Sequence, residues 1–423
     1  MHWLQARASA VRYRVGGLPP SIRYWRARRR QTPQLILRQV QARRYWRIGS
    51  VADAFDITIA LLFAPIFVIG AAVWHTARSG RIHAARCGRH PVRQLLDQLR
   101  IYISSGIMPA TYYIFDLVDN PTNTRARAFL KRAEMKGMIY PLVRRHMPPA
   151  SSLNDKGEFE KRCTDSGLPV IPTLAIIRNG ELSGQPTMPP QDLFVKPLGG
   201  KGGRGAERWV WTGSGYRSVD GQLLSPAALA DRLHERSYSG GLIVQPCLRN
   251  DEPLAALSCG ALATIRILTC QDEQGRSEVI GAALRMSIDP MSVVDNLHQG
   301  GITAVVDVET GILGAATNLG KDARVGWHDC HPVTGAPIAG RALESWPQIK
   351  ALAVRAQQVF ADRLFVGWDI TMTPNGPVIV EGNSSPGLDI FQRPARSGMA
   401  NGRFAELLAA RMIAWGETAP VAA

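Results

Sequence analysis

Two carboxylates and an amide near the end of the chain could together hold a metal ion. Glu381 and Asn383 are two positions apart in GPVIVEGN, so on a β-strand their side chains point to the same face. Asp369 lies in LFVGWDI, and a hairpin around Pro374-Asn375-Gly376 places it opposite them. These oxygen donors suit one or two Mg²⁺ ions, or Mn²⁺ in their place, and Mg²⁺ commonly bridges to substrate phosphates. The alternative, carboxylates at a solvated hairpin end, is disfavoured by their apolar neighbours.

A second group of residues could bind phosphate. The stretch FVKPLGGKGGRG places Lys196 at a strand end, ahead of five glycines interrupted by Lys201 and Arg204. Glycine lets backbone N–H groups approach a phosphate closely. The loop joins two predicted strands and lacks the GK[ST] ending, so it is neither a Walker A motif nor a dinucleotide-binding fingerprint. A flexible turn without a ligand is the alternative. Further cations stand at a predicted helix start and on two neighbouring strands, namely Lys156, Arg266 and Arg285.

Alternating strand and helix patterns follow position 151 and predict an α+β fold. Asn154 can cap a helix that runs to about Ser166, a longer helix covers about 347–364, and a final one covers about 402–415. Between and around them lie the predicted strands 192–196, 207–211, 242–246, 263–270, 277–286, 364–370 and 376–383.

Taken in order, these stretches resemble the ATP-grasp superfamily over about residues 151–416. The motifs are NDKGEF, FVKPLGGKGGRG, ATIRILT, GWDI and VIVEGN, which are specific as a set. QPCL, DNLHQGGI and HPVTG are most similar to the sugar-transfer associated, alpha-L-glutamate ligase-like ATP-grasp proteins. The resemblance implies two α/β lobes that grip ATP. Residues 151–252 would form the N-terminal lobes and residues 253–423 the C-terminal catalytic lobe.

The resemblance also implies where ATP binds. Lys156 and Lys196 would contact its phosphates, and a glycine-rich loop would close over them, with Gly200, Lys201, Gly202, Gly203, Arg204 and Gly205 as its members. The hinge beside adenine would be Val244, Gln245, Pro246 and Cys247. Gln245 stands where an acidic, ribose-binding residue is common in the superfamily, and Asp251 or Glu252 could take that part.

Catalytic and substrate roles follow from the same resemblance. Asp369, Glu381 and Asn383 would hold the metal. The expected catalytic residues are Lys196, Arg285, which would stabilise the transferred phosphoryl group, and Arg266, which would contact an acyl phosphate or the substrate carboxylate. Four residues of DNLHQGGI could line the substrate side, namely Asn296, His298, Gly300 and Gly301. His328 and His331 suit no standard zinc cluster, and we expect them to have a loop role.

Positive charge is concentrated in the first third of the chain. The formal net charge is +16 over 423 residues, but residues 1–150 carry +19 and the remainder −3. A basic block of this kind favours an anionic partner, either a membrane surface or nucleic acid. We divide this part into a basic N-terminal arm (1–50), a hydrophobic segment (51–76) and a basic helical region with a linker (77–150), in which Val92, Leu95, Leu96 and Leu99 form one helical face.

The hydrophobic segment predicts membrane association. Residues 57–74 are 18 consecutive residues without a charge, which is near the short end for a spanning helix. Arginines flank both ends, and Pro65 falls in the middle. Because basic residues prefer the cytoplasmic side, a helix bent at Pro65 that re-enters the same leaflet is favoured over a simple span, as in monotopic phosphoglycosyl transferases. A buried core helix is the alternative.

Three functions compete on this evidence. The first is an ATP- and Mg²⁺-dependent carboxylate–amine (or thiol) ligase that forms an acyl phosphate, acting on a small molecule or glycan at the cytoplasmic face of the inner membrane. The second is a kinase or other phosphotransferase on the same fold. The third is a non-catalytic adaptor that binds a membrane, or less plausibly nucleic acid, through residues 1–100. The complete set of metal donors disfavours the third.

Overall fold

Residues 32–148 are mainly helical. The computed structural model describes residues 32–148, 151–184, 188–199, 203–295, 297, 300–320, 324 and 326–418. The first 31 residues of the predicted basic arm therefore lie outside the described residues. The helices of this part are α1 (Pro33–Trp46), α2 (Val51–Cys87), α3 (Pro91–Ser105), α4 (Pro109–Ile114), α5 (Asn123–Ala128), α6 (Arg132–Glu134) and α7 (Tyr140–His146), with a π-helical turn, Met135–Ile139, before α7.

Helix α2 contains the whole hydrophobic segment and continues beyond residue 76. The Ser50 hydroxyl accepts a hydrogen bond from the Asp53 N–H at 3.1 Å and caps its first turn. Gly88 ends the helix in the left-handed region, at φ 68°. The helix is continuous through Pro65, although proline supplies no N–H for the helical ladder. Among the described residues, α2 is the one helix whose length and apolar composition would be sufficient to cross a membrane.

Helix α3 has its polar face buried. Val92 and Leu96, from the apolar face noted in the sequence, are 60% and 59% exposed. The buried residues of this helix are Gln94, Asp97, Gln98, Ile101 and Ser105. Gln94 Nε2 donates to the Gly80 carbonyl of α2 at 2.9 Å, and Gln98 Nε2 donates to Thr76 Oγ1 at 2.7 Å. These hydrogen bonds hold α3 against α2 and direct its apolar side outwards.

The first sheet lies within residues 175–246, in the part of the chain predicted to form the N-terminal lobes. After α8 (Ser151–Asn154) and α9 (Lys156–Asp165) come β1 (Ala175–Arg178), β2 (Glu181–Gly184), β3 (Leu193–Pro197), β4 (Glu207–Trp211), β5 (Tyr216–Ser218), β6 (Leu223–Leu224), α10 (Pro226–Ser237) and β7 (Leu242–Pro246). The strand order is β2-β1-β7-β3-β4-β5-β6, and the strands pair antiparallel. Leu229 and Leu233 of α10 join the core cluster of this sheet.

The second sheet belongs to the C-terminal lobe. Its elements are α11 (Glu252–Ala255), β8 (Thr264–Gln271), β9 (Ser277–Met286), β10 (Ile302–Val306), β11 (Leu313–Thr317), β12 (Trp327–His328), α12 (Trp346–Val359), β13 (Phe365–Thr373), β14 (Gly376–Asn383), α13 (Asp389–Gln392) and α14 (Arg403–Ala414). The order is β12-β11-β10-β9-β8-β13-β14, again antiparallel. The predicted α+β fold is confirmed, as is the mainly helical N-terminal region.

The N-terminal helices share a core with the C-terminal lobe. Leu37 and Val40 of α1 lie in one buried cluster with Phe404 and Leu408 of α14. The same cluster includes Phe365 of β13, so it covers one face of the second sheet. A separate cluster packs α12 and α9 against β-strands of that sheet. The helical part that the structure describes is therefore joined by buried apolar contacts to the part of the chain that forms the second sheet.

Two helix boundaries differ from the prediction. Asp155, not Asn154, caps α9, because its carboxylate accepts hydrogen bonds from Gly157 and Glu158 at 2.8 and 3.0 Å. Helix α12 ends at Val359 instead of continuing to about residue 364. The buried Gln357 side chain donates to the Arg363 carbonyl at 2.8 Å and holds a turn there, so the chain reverses before β13 begins.

Candidate functional site

The register of the second sheet brings most of the predicted polar residues together. Asp369 of β13 pairs with Glu381 of β14 on one side and with Arg266 of β8 on the other. Thr264 of β8 pairs with Arg285 of β9. Strands β3 and β7 of the first sheet contribute Lys196 and Gln245 to the same cavity, whose volume is about 360 Å³. The cavity therefore lies between the two sheets, as the resemblance implied.

Asp369 is buried against two arginines. Arg266 donates two hydrogen bonds to its carboxylate, one of them from Nη2 at 2.8 Å, and Arg285 Nη2 lies 2.9 Å from Asp369 Oδ2. Burial raises the pKa of Asp369, but the charges of Arg266 and Arg285 outweigh it and lower the pKa to about 2. The carboxylate is therefore charged at neutral pH.

Asp295 also contacts Arg285, and it was not among the predicted site residues. Its Oδ1 lies 3.2 Å from Arg285 Nη2, and its Oδ2 accepts a hydrogen bond from the Thr264 hydroxyl at 2.5 Å. Burial raises the pKa of Asp295 to about 6, against the opposing charge of Arg285. The only signal in the sequence was an acidic residue directly before the predicted substrate residue Asn296.

The three predicted metal donors lie at adjacent positions. Asn383 Nδ2 donates to Glu381 Oε1 at 3.0 Å, which leaves the amide oxygen of Asn383 available as a ligand. The Glu381 side chain is 49% exposed and lies 3.7 Å from Arg266 Nη2. Both Asp369 oxygens contact arginines, so a cation here would share or replace those contacts. Two carboxylates and an amide oxygen are hard donors, and the set fits Mg²⁺ in chemical type.

No larger metal cluster is found in the described part of the chain. Among these residues, no group of three or more His, Cys, Asp and Glu side chains could hold a metal ion. His331 is buried, and its ring contacts the Ser287 carbonyl at 3.0 Å while Nδ1 accepts from the Thr334 N–H at 3.1 Å. His331 therefore organises a loop, as expected from the sequence, whereas His328 lies in β12 and pairs with Ala316, so the loop role expected for it is wrong.

Two lysines line the cavity next to the metal donors. Lys156, in the first turn of α9, donates from Nζ to the Pro197 carbonyl at 2.6 Å. Burial and the charge of Lys196 lower the pKa of Lys156 to about 8, although Glu381 opposes the shift. Burial also lowers the pKa of Lys196, against the charges of Glu381 and Asp369. Both ammonium groups lie where anionic phosphate groups would compensate for their burial.

The glycine-rich loop is described only in part. Gly203 and Arg204 line the cavity, whereas Gly205 accepts a hydrogen bond from Arg236 through its carbonyl. Gly203 has φ +70°, and a Cβ atom there would lie 2.7 Å from a methyl group of Val294. This close approach requires glycine. The predicted phosphate ligands Gly200, Lys201 and Gly202 lie outside the described residues.

Three of the four predicted hinge residues line the cavity, namely Gln245, Pro246 and Cys247. The side chain of Val244 does not, because it points into the core of the first sheet. Gln245 is 6% exposed, its Nε2 donates to the Ile171 carbonyl at 3.3 Å, and its Oε1 has no protein partner among the described residues. Neither Asp251 nor Glu252 lines the cavity, and Asp251 instead caps α11.

Of the four predicted substrate residues, the two that the structure describes do not line the cavity. Gly300 and Gly301 do not line it, and Asn296 and His298 lie outside the described residues. Arg132 of α6 does line it and forms an ion pair with Asp389, which also lines it. Arg132 was missed because nothing in its local sequence links the basic helical region to a site more than 250 residues away.

Comparison with known families gives one match. A family model described as sugar-transfer associated ATP-grasp matches residues 143–405. A search of curated protein sequences finds no match.

Comparison with solved structures gives distant similarities. The D-alanine–D-alanine ligase from Bacillus anthracis is 11% identical, covers 63% of this chain and 69% of its own, and has a TM-score of 0.35. The VanG D-Ala:D-Ser ligase from Enterococcus faecalis is 14% identical, covers 62% of each chain and has a TM-score of 0.35. The ATP-grasp ligase PsnB, complexed with a precursor variant, Mg and ADP, is 17% identical, with a TM-score of 0.33. The match covers 62% of this chain and 60% of PsnB.

Proposed function

Because this chain belongs to the sugar-transfer associated ATP-grasp family, which has the fold of ATP-dependent ligases, we propose that it joins a carboxylate to an amine or thiol with conversion of ATP to ADP. The observation that carries the proposal is the composition of the cavity. Lys156, Lys196, five arginines and the three oxygen donors of the predicted metal site line it, and they come from both sheets and from the helices and loops beside them. Such a site suits the positioning and charge neutralisation of a polyphosphate.

The proposed reaction has two steps. The substrate carboxylate attacks the γ-phosphorus of ATP, which gives an acyl phosphate and releases ADP. The amine then attacks the acyl carbon, a C–N bond forms, and inorganic phosphate and a proton leave. No protein nucleophile is needed, since the acyl phosphate is itself the activated electrophile.

The residues of this chain have distinct parts in these steps. Lys156 and Lys196 bind the phosphates of ATP, and the partly described glycine-rich loop covers them. Arg285 contacts the phosphoryl group in transfer, while Arg266 orients the substrate carboxylate or acyl phosphate. Asp369, Glu381 and Asn383 hold one or two Mg²⁺ ions, with Mn²⁺ as a substitute. The metal would supply Lewis-acid neutralisation of the phosphate charge.

We propose that the nucleotide base lies beside β7. Gln245 Oε1 is a buried acceptor without a protein partner in the described part of the chain, and burying such a group costs free energy unless a ligand satisfies it. An exocyclic amine of a purine supplies the missing donor. We therefore assign Gln245 to recognition of the base. The ribose is assigned to polar residues near Gln245, none of which is singled out.

The acceptor substrate is assigned to the part of the cavity that contains Arg132 and Asp389. Arg132 lies before the residues that the family model matches, so the basic helical region adds its own cation to the site. Its side chain is 46% exposed, which leaves it accessible to a ligand. We assign it to an anionic group of the acceptor.

The biological setting is also a proposal. The exposed apolar helix α2 and the basic first third support association with an anionic membrane at its cytoplasmic face, where ATP is available. The family description supports a small-molecule or glycan substrate, in the modification of cell-surface polysaccharides. The five segments defined from the sequence, with boundaries at residues 50, 76, 150 and 252, remain predictions.

Hydroxylamine trapping tests the ligase proposal. The full chain is incubated with ATP, Mg²⁺, hydroxylamine and a panel of carboxylic acids, and hydroxamate and ADP are both measured. Acid-dependent hydroxamate supports an acyl phosphate. ADP formation without hydroxamate from any acid, together with a stable phosphorylated product, would instead establish a phosphotransferase.

A further inference from the structure

The N-terminal end of α2 lies close to the C-terminal part of the folded chain. Helix α1 ends at Trp46, and four residues separate it from α2. Its apolar residues Leu37 and Val40 share the buried cluster of α14. Just beyond α14, Glu417 lies 4.0 Å from Arg44 and 3.5 Å from Arg145. Gly49 and Asp53, at the start of α2, line one cavity with Arg44 and Arg145. The start of α2 is therefore held beside the C-terminal helix.

The other end of α2 is attached to the same body. Arg86, in its last turn, donates from Nη2 to the Arg324 carbonyl at 3.4 Å. Helix α4 packs on α2 and is itself fixed to the C-terminal lobe. The buried Arg393 donates to the Tyr113 and Ile114 carbonyls at 3.0 and 2.7 Å. The C-terminal end of α2 thus contacts the lobe that carries the candidate site, and its N-terminal end lies beside two arginines that are close to Glu417 of that lobe.

These attachments decide between the two membrane topologies left open by the sequence. We infer that α2 does not cross the bilayer, and that both of its ends stay on the side of the catalytic lobe. This inference rests on the membrane association proposed above. A spanning helix must place its ends on opposite sides of a hydrocarbon core about 30 Å thick. The folded body that holds both ends of α2 would then have to lie on both sides as well.

The surface that enters the bilayer is formed by α2 and α3. The outward residues of α2 are large and apolar, whereas its buried face carries smaller ones such as Ala60, Ala64 and Ala72. On α3, the exposed apolar residues are Val92, Leu96 and Ile103, and the buried face is polar. The large exposed residues of α2 are Val51, Phe55, Leu61, Leu62, Phe63, Ile66, Phe67, Ile69, Val73 and Trp74. Polar inside and apolar outside is the distribution expected of a surface that faces lipid.

Exposed arginines beside this surface identify the kind of membrane. Arg78 and Arg81 follow the apolar part of α2, and Arg93 stands next to Val92 on α3. Guanidinium groups at the level of the headgroups attract anionic lipids, by about 1 kcal/mol for each basic residue. The occupant of this surface is therefore a single leaflet of an anionic bilayer.

Cysteine labelling in sealed membrane vesicles tests the topology. Ile48→Cys and Ala85→Cys, at exposed positions before and near the end of α2, are each placed in a Cys87→Ser, Cys330→Ser background. The background alone gives the baseline, and a separate Cys87→Ser chain that keeps the exposed native Cys330 reports the side of the catalytic lobe. An impermeant maleimide should label both new cysteines in the vesicles where Cys330 is labelled. Labelling in vesicles of opposite orientation would overturn the inference.

Vesicle flotation of the purified full chain tests the lipid-facing surface. Leu96→Glu and Ile103→Glu should each reduce binding to phosphatidylcholine–phosphatidylglycerol vesicles at least tenfold. Leu223→Glu is the matched control, because Leu223 is 61% exposed on the first sheet and Leu96 is 59% exposed. Equal binding of all three variants would contradict the surface assignment. If the unaltered chain binds no vesicles, this inference and the proposed membrane association both fail, while hydroxamate formation still decides the ligase proposal.

Discussion

Arg285 Nη2 lies 3.2 Å from Asp295 Oδ1 and only 2.9 Å from Asp369 Oδ2, so one nitrogen joins two buried acids. The pKa values of these acids move in opposite directions. The pKa of Asp369 is lowered to about 2 because Arg266 and Arg285 together outweigh burial, whereas that of Asp295 is raised to about 6 because burial outweighs Arg285. Asp369 is thereby kept as an anion, and Asp295 titrates near neutrality.

Replacing Asp295 by Asn should change the pH dependence of stability. A carboxyl group whose pKa rises from 3.8 to about 6 on folding favours the folded state most below pH 4, and this stability is lost as pH rises through 6. Asp369 is charged in both states over this range. The free energy of unfolding of the unaltered chain, relative to Asp295→Asn, should fall by up to about 3 kcal/mol between pH 4 and 7. Urea unfolding at a series of pH values measures the free energy of unfolding of both chains. If the two plots of this free energy against pH run parallel, the prediction is contradicted.

Lys156 should limit ATP use at alkaline pH. Its pKa is lowered to about 8, so its positive charge is present below pH 8 and lost above it. Because kcat/KM reports the free enzyme, kcat/KM for ATP should fall above pH 8 and approach a tenfold loss per pH unit. Lys156→Arg keeps the charge and should move this decline beyond pH 9. An unchanged profile in that variant would show that another group titrates.

Glu381→Gln should weaken metal binding without unfolding the protein. Removing one carboxylate charge should raise the Mg²⁺ concentration for half-maximal activity by more than about tenfold. The Glu381 side chain is half exposed, so the free energy of unfolding should change by no more than about 0.5 kcal/mol. Asp369→Asn should instead also destabilise the fold, since it leaves two buried guanidinium groups without their shared anion. A normal Mg²⁺ requirement in Glu381→Gln would remove this residue from the metal set.

Arg132→Ala should affect the acceptor and spare ATP. Loss of a charged hydrogen bond to the acceptor should raise its KM about 10- to 100-fold while KM for ATP stays constant. Arg232→Ala is a matched control, because its side chain is 42% exposed and paired with Glu207, compared with 46% for Arg132. A rise in the KM for ATP in Arg132→Ala, or the same effect in the control, would contradict an acceptor role.

The sequence alone determined the parts of this protein that depend on local pattern. Residue spacing is enough to put Glu381 and Asn383 on one face of β14, and the Pro-Asn-Gly turn is enough to pair this strand with β13. A β-bulge between Asp369 and Ile370, which spacing does not reveal, then brings Glu381 opposite Asp369, where the turn alone would place Val380. The predicted strand 192–196 and the glycines that follow it were also enough to predict the position of Lys196 and of the glycine-rich loop. The ordered motifs were enough to indicate the ATP-grasp fold, which the family match confirms.

Only the tertiary structure decided contacts between distant segments. Asp295 became part of the site because its segment packs against Arg285, and Arg132 because α6 meets Asp389 more than 250 residues later. The face that α3 buries could not be predicted from its apolar spacing, since hydrogen bonds from Gln94 and Gln98 to α2 turn the polar side inwards. Spacing shows which residues share a face, but the partner that covers that face is set by the whole fold.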